Sequence, residues 1–224
     1  MSVARVPPPA PSRRSLLALG WLNFFVSGMQ AAFGPIAAAY LAAQGWTAKD
    51  IGFVLGIGGF ASLVSQAPGG ELLDTVKAKR VLVATGIVAV ALSILIFYFW
   101  PSFLPVALAE VLQGITGGVL GAGIVAITLG LVGHRGLADQ IGQNQRFAAA
   151  GGIAVTLTMA VVAYSEAPWA MLVPTALAAS ALLALGRIRG DEIDFARASA
   201  LTTPASIASS GHVVARLSCR TAGC

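Results

Sequence analysis

Residues Val81–Trp100 read VLVATGIVAVALSILIFYFW, twenty in a row without a charge or a proline. A helix needs roughly 20 apolar residues, at about 1.5 Å each, to cross a hydrocarbon core about 30 Å thick. Just before this run stand Lys77, Lys79 and Arg80, and after it the uncharged sequence continues through Pro101 as far as Ala109.

Working outward, five further uncharged runs have comparable length: Ser15 to Ala48, Ile51 to Gly70, Val111 to Gly133, Phe147 to Ser165 and Ala167 to Gly186. They are unbroken and rich in Gly, Ala, Leu and Val, unlike the short alternating segments of a membrane barrel, and lipid leaves no other way to satisfy the backbone. The expected fold is therefore an all-α membrane protein with six transmembrane helices. Composition agrees, because 57% hydrophobic and 10% charged residues, with a mean hydropathy of +0.82, leave too little polar surface for a soluble domain of 224 residues.

The charges give the weave a direction. With the N-terminus in the cytoplasm, thirteen of the fourteen basic residues fall inside and only Lys49 outside. That is a strong positive-inside bias, and an even span count returns the C-terminus to the cytoplasm. Trp46, Trp100 and Trp169 then mark outer headgroup levels, and Trp21 the inner end of the first helix. Basic residues at helix ends, not interleaved with aromatics, argue for topology and against nucleic acid as a partner. The lipid bilayer is the first partner, and an inner (cytoplasmic) membrane the expected location.

Three regions follow: a disordered cytoplasmic arm over 1–14, a transmembrane domain over 15–195, and a disordered cytoplasmic tail over 196–224 whose Ser, Ala, Thr and Arg carry no sustained period. The apolar run behind the arm is too long for a cleaved signal peptide. Cys219 and Cys224, both in the tail, suggest neither a structural disulfide nor a metal site. His134 and His212 build no catalytic pair, and no nucleophile elbow, zinc signature or phosphate loop occurs, so an enzyme such as an intramembrane protease is the lesser alternative and no cofactor is expected.

The joints narrow the reading. Gly69-Gly70-Glu71-Leu72-Leu73-Asp74-Thr75-Val76-Lys77-Ala78-Lys79-Arg80 puts a glycine turn, an acid and a basic cluster between the second and third runs. It resembles the signature loop of the major facilitator superfamily, G-x-L-A-D-x-x-G-R-x-R, matched at Gly70, Leu72, Asp74 and Arg80. Lys79 adds charge at a free position, Lys77 replaces the second glycine, and Ala78 replaces a basic residue. In the fourth run, Glu110-Val-Leu-Gln113-Gly114 resembles the family's R-x-x-Q-G, with Glu110 in place of the arginine. Gly136 to Arg146 repeats the letters of the signature between the fourth and fifth runs. Ala48-Lys-Asp-Ile-Gly52 is echoed by Ala138-Asp-Gln-Ile-Gly142, as an inverted three-plus-three repeat would produce.

The resemblance implies one six-helix half of a twelve-helix secondary transporter that moves a small solute by alternating access. The expected further partner is a second six-helix half, or a second copy in a homodimer. The change of character near Ala196 suggests truncation, and a truncated, non-transporting membrane protein or scaffold is the alternative function. In the family the acid matched by Asp74 latches the inner side against the other half; otherwise Asp74 is a solvated loop acid beside Lys77 and Arg80.

Candidate site residues are few. Glu110 is the one carboxylate expected within the hydrophobic thickness, where it trades a proton or holds a cationic group, or else snorkels to the outer headgroups. Gln113 and Thr116 share its helix face, while Asn23 and Gln30, seven residues apart, share a face of the first helix. Helices one and four line the family's cavity, so these side chains are candidates to meet a polar solute, with interhelical hydrogen bonding as the alternative and as the favoured role for Asn23. Ser62, Ser65 and Gln66 read as packing residues. Gly52 and Gly56, and Gly114, Gly117, Gly118 and Gly121, have the spacing of close helix contacts. Pro35 and Pro68-Gly-Gly are expected to kink or finish their helices.

Overall fold

A computed structural model describes residues 11–75, 79–163 and 172–190, with 66–75 and 162–163 described as backbone only. These residues form five helices: α1 Arg13–Ala43, α2 Ala48–Thr75, α3 Lys79–Phe99, α4 Phe103–Ala163 and α5 Leu172–Gly186. Four are long and apolar enough to cross a membrane, and α5 is a shorter apolar helix of 15 residues. Residues 1–10 of the expected arm, the tail and Trp169 lie outside the described residues, while Arg13 and Arg14, expected in a disordered arm, already belong to α1 because Ser12 caps the helix there.

Local chemistry sets the boundaries. Ser12 caps α1, its Oγ accepting from the Ser15 amide at 3.3 Å. At the other end Gly45, at φ 84°, takes the left-handed conformation that closes a helix, with Gly45 N donating to Ala42 O and Trp46 N to Leu41 O. This stops α1 at Ala43 although the uncharged run continues to Ala48. Thr47 then caps α2, its Oγ1 accepting from Asp50 N at 3.2 Å. Of the two outcomes expected of the prolines, a kink or an end, the end is not observed: α1 contains Pro35, and α2 continues past Pro68-Gly69-Gly70 to Thr75. One proline removes a single backbone donor, and the turns on either side keep their own bonds.

The main departure from the expected pattern is α4. Among the described residues five helices stand where six are expected, because the fourth and fifth runs and the charged joint between them join as α4. Its two helical segments meet at a kink at Gly133 and together hold 61 residues, about 90 Å if straight and three times the hydrocarbon thickness. The joint that resembles the signature loop is thus helical, its Leu, Ala, Gln and Arg being good helix formers. At Gly133 the backbone leaves the helix, with φ 67° and ψ 179°. Only glycine occupies that region without strain. Gly133→Ala is therefore expected to destabilise the protein by about 1–3 kcal/mol, read as a lower thermal unfolding midpoint in detergent.

The packing is close and apolar. Phe33 of α1 meets Phe97 of α3 edge to face at 5.1 Å within a core that includes Leu19, Leu22, Ile87 and Ile94. Phe53, Phe60 and Leu63 of α2 and Leu157 and Val161 of α4 lie exposed, as side chains facing lipid should.

At one end of the bundle the Tyr40 hydroxyl donates to Tyr98 O at 3.0 Å, and Trp46 Nε1 donates to Pro101 O at 3.3 Å while its ring stacks on Phe103. At the other end Arg80 Nη2 donates to Leu185 O at 3.2 Å and Arg189 N donates to Ser15 Oγ at 3.4 Å. The starts of α1 and α3 therefore meet the end of α5, so α1 and α3 run parallel and α5 antiparallel to them. Arg80 places its positive charge on a helix C-terminus, where carbonyls lack partners.

Candidate functional site

The site grows from the crossing of α2 with the first segment of α4. A Cβ added to Gly114 would stand 2.3 Å from Gly58 O and 2.9 Å from Ser62 N, so two backbones pass with no room for a side chain. Ser65 is buried beside them, its hydroxyl within reach of Ser62 O at 3.0 Å and Gly114 O at 3.4 Å. Of the glycines expected to form close faces, Gly114 is used in this way. A Cβ added to Gly52, Gly56, Gly117 or Gly121 would meet nothing within 4 Å, because spacing defines a face without saying which neighbour reaches it.

The same crossing houses Glu110. It lies two turns into α4, which begins at Phe103, and is only 5% exposed. A Cβ on Gly58 would fall 2.1 Å from Glu110 Oε2, so the missing side chain is the space the carboxylate occupies. Glu110 Oε1 is buried with no hydrogen-bond partner among the described residues. The snorkelling arrangement is therefore not the one observed. An unpaired charge there is costly, so the group needs a proton or a cation beside it.

Beside Glu110 opens a cavity of about 530 Å³, walled by α1, α2, α4 and Val90 of α3. Gln30 and Phe33 reach it from α1, Gly58 and Ser62 from α2, and Glu110 and Gln113 from α4. Gln113 lines the cavity and is held at one end, its Oε1 within hydrogen-bond distance of Ser93 Oγ at 2.8 Å. Glu110, Gln113 and Gln30 are thus brought to one space. Asn23 and Thr116 are not: Asn23 Nδ2 donates to Leu19 O at 2.8 Å, and the buried Thr116 donates to Leu112 O with its methyl toward Gly86. Both serve their own helices.

The signature positions divide differently. Gly70, Leu72 and Asp74 lie on the helical backbone at the end of α2, not in a glycine turn, and the side chains of Leu72 and Asp74 are outside the described residues. Lys79 is 1% exposed, in contrast to a solvated basic cluster, and Arg80 is engaged with the end of α5.

Three polar residues that the sequence pattern does not single out form a buried chain across the Gly133 break. Gln140 Nε2 donates to Asn144 Oδ1 at 3.1 Å, and Asn144 Nδ2 donates to Thr128 Oγ1 at 3.2 Å. Gln140 and Asn144 are four apart, a signal visible only once their segment is read as helix. Gly58 is hidden for a related reason, since its role is to be absent beside a residue 52 positions away.

The sequence from residue 18 to residue 216 matches the model of the Major Facilitator Superfamily. Over 195 residues the chain is 33% identical to two uncharacterized MFS-type transporters of Mycobacterium tuberculosis, Rv2456c of strain ATCC 25618 / H37Rv and MT2531 of strain CDC 1551 / Oshkosh. The alignment covers 86% of this chain and 46% of each relative, so the chain spans about half the length of these relatives. Apolar helices long enough to span a bilayer, a polar cavity among them and a match over most of its length agree, and the chain belongs to the major facilitator superfamily.

Proposed function

We propose that the chain moves a small solute across a membrane by alternating access, as a six-helix half of a secondary transporter, with Glu110 as the coupling or substrate-binding charge. The observation that carries this reading is the partnerless Glu110 oxygen at the wall of a polar cavity, since intramembrane carboxylates are retained where they do work.

Two crossings are assigned to α4, divided at Gly133, which with α5 makes six. The packing supports a three-plus-three inverted repeat. The α4 segment after Gly133 lies on α1, where a Cβ on Gly151 would stand 2.1 Å from Phe24 O, and the segment before it lies on α2 through Gly114. Advancing each helix by three exchanges these two pairs. The same shift exchanges the contact of α5 with α1 for that of α3 with the first α4 segment, where Gly86 faces Leu120.

The basic residues orient the unit with both termini in the cytoplasm of an inner membrane. Asp74 and its neighbours would then face the half with which the unit pairs, whether a second domain or a second copy. The non-transporting alternative has no comparable support.

The test is solute-dependent proton flux in proteoliposomes holding the chain alone, or the chain co-expressed with the C-terminal half of a full-length relative. Flux in either preparation, reduced at least about tenfold by Glu110→Gln, is expected. Equal flux from the variant would remove Glu110 from the mechanism. Silence from both preparations across a panel of cationic, neutral and acidic solutes would sink the transport reading.

A further inference from the structure

The cavity has a composition that specifies more than a solute. Among the described residues its lining holds one ionisable group, Glu110, and no basic residue, so an anion entering it would meet a negative charge with no described cation to offset it. Glycine and Val90 make up much of the rest, Phe33 adds an aromatic surface, and the amides of Gln30 and Gln113 supply neutral polar groups. The carboxylate is held at the wall by the Gly58 notch, and its Oε1 is buried and unpaired.

An inorganic cation is a poor match for this set. Sodium-like or divalent ions need several oxygens at close range, whereas this lining offers one carboxylate and a volume of about 530 Å³. A proton would neutralise Glu110 and leave the remaining space without a role. An organic cation uses every feature: its charge meets Glu110, its apolar body meets Phe33 and the glycine surfaces, and a polar substituent meets the amides of Gln30 and Gln113 in the lining.

We propose that this cavity binds a small organic cation, with Glu110 as its counter-charge and Gly58 as the residue that positions the carboxylate. The assignment rests on the transport reading only for its biological use, because binding is measurable without translocation.

The probe is tritiated tetraphenylphosphonium, permanently charged, added to the purified full chain in detergent micelles. Saturable binding is expected, displaced by phenyltrimethylammonium and at least about tenfold less well by its neutral isostere tert-butylbenzene, since the charge is what the site recognises. Glu110→Gln should weaken binding at least about tenfold, and Glu110→Asp, which keeps the charge, should weaken it less. Gly58→Ala should also weaken it, because the new methyl would displace the flexible carboxylate, while helical circular dichroism stays at the parent level.

Parent-level affinity in Glu110→Gln would overturn the proposal, as would equal displacement by the neutral isostere or no saturable binding by the parent chain. If Glu110→Gln does not fold, Gly58→Ala decides in its place, and parent-level affinity there overturns the positioning. Binding retained without flux would sink the transport reading and leave this site standing; flux of neutral solutes without cation binding would do the reverse.

Discussion

Gly151→Leu is expected to prevent the bundle from assembling, with most of the protein lost from the detergent-soluble, monodisperse fraction. Even Gly151→Ala should lower stability by about 3 kcal/mol, the upper end for overpacking a filled interior. The reason is geometric. A Cβ at Gly151 would stand 2.1 Å from Phe24 O and 2.8 Å from Phe24 C, and those obstacles are backbone atoms of α1 that no rotamer change can move. Gly114, facing Gly58 O at 2.3 Å, is in the same position against α2 and should respond alike.

Between helices that both face lipid tails, apolar burial supplies little attraction, so close backbone contact carries much of the association. Forcing the axes apart thus weakens the main adhesive term and not only one contact. Gly121 provides the contrast, being exposed with nothing within 4 Å. Gly121→Ala should be neutral, or stabilising by up to about 1 kcal/mol through helix propensity. The measurement is the thermal unfolding midpoint of the three alanine variants in one detergent. Similar midpoints for all of them would contradict the packing described.

The contrast among glycines also marks what a sequence can and cannot say. Uncharged runs and the one-sided distribution of Lys and Arg are properties of composition along the chain, so membrane helices and an intended direction are legible at once. Glu110, Gln113 and Gln30 are legible because polar groups are rare in such runs. Asn23 and Thr116 look equivalent in the sequence, yet each bonds a carbonyl of its own helix, a choice fixed by side-chain length and rotamer and not by position.

Which glycine meets a backbone, as Gly151 does, or a carboxylate, as Gly58 does, depends on crossing points between helices far apart in the chain, and neither carries a local signal of it. The residues around Gly136 mislead for another reason. Charges and glycines there suggest a loop, while the helix continues and breaks at the single residue Gly133. Gln140 and Asn144 stay hidden as a consequence.

The transport reading depends most on α4 being two crossings that turn back near Gly133, because only then do α1, α2 and the first α4 segment enclose the Glu110 cavity between opposite membrane faces. Thr47 and Ser102 are exposed in the short joints before α2 and α4, and Asp139 is exposed beyond the break. The deciding measurement is labelling of single cysteines placed at these positions and at Leu172 in intact cells and in inverted membrane vesicles, with a membrane-impermeant maleimide and with Cys219 and Cys224 replaced by serine. Thr47→Cys, Ser102→Cys and Leu172→Cys, the last at the exposed start of α5 beyond the second segment, are expected to react from the outer face only, and Asp139→Cys from the cytoplasmic face only. Labelling of Asp139→Cys from the same face as Thr47→Cys, or of Leu172→Cys from the same face as Asp139→Cys, would contradict the two-crossing arrangement.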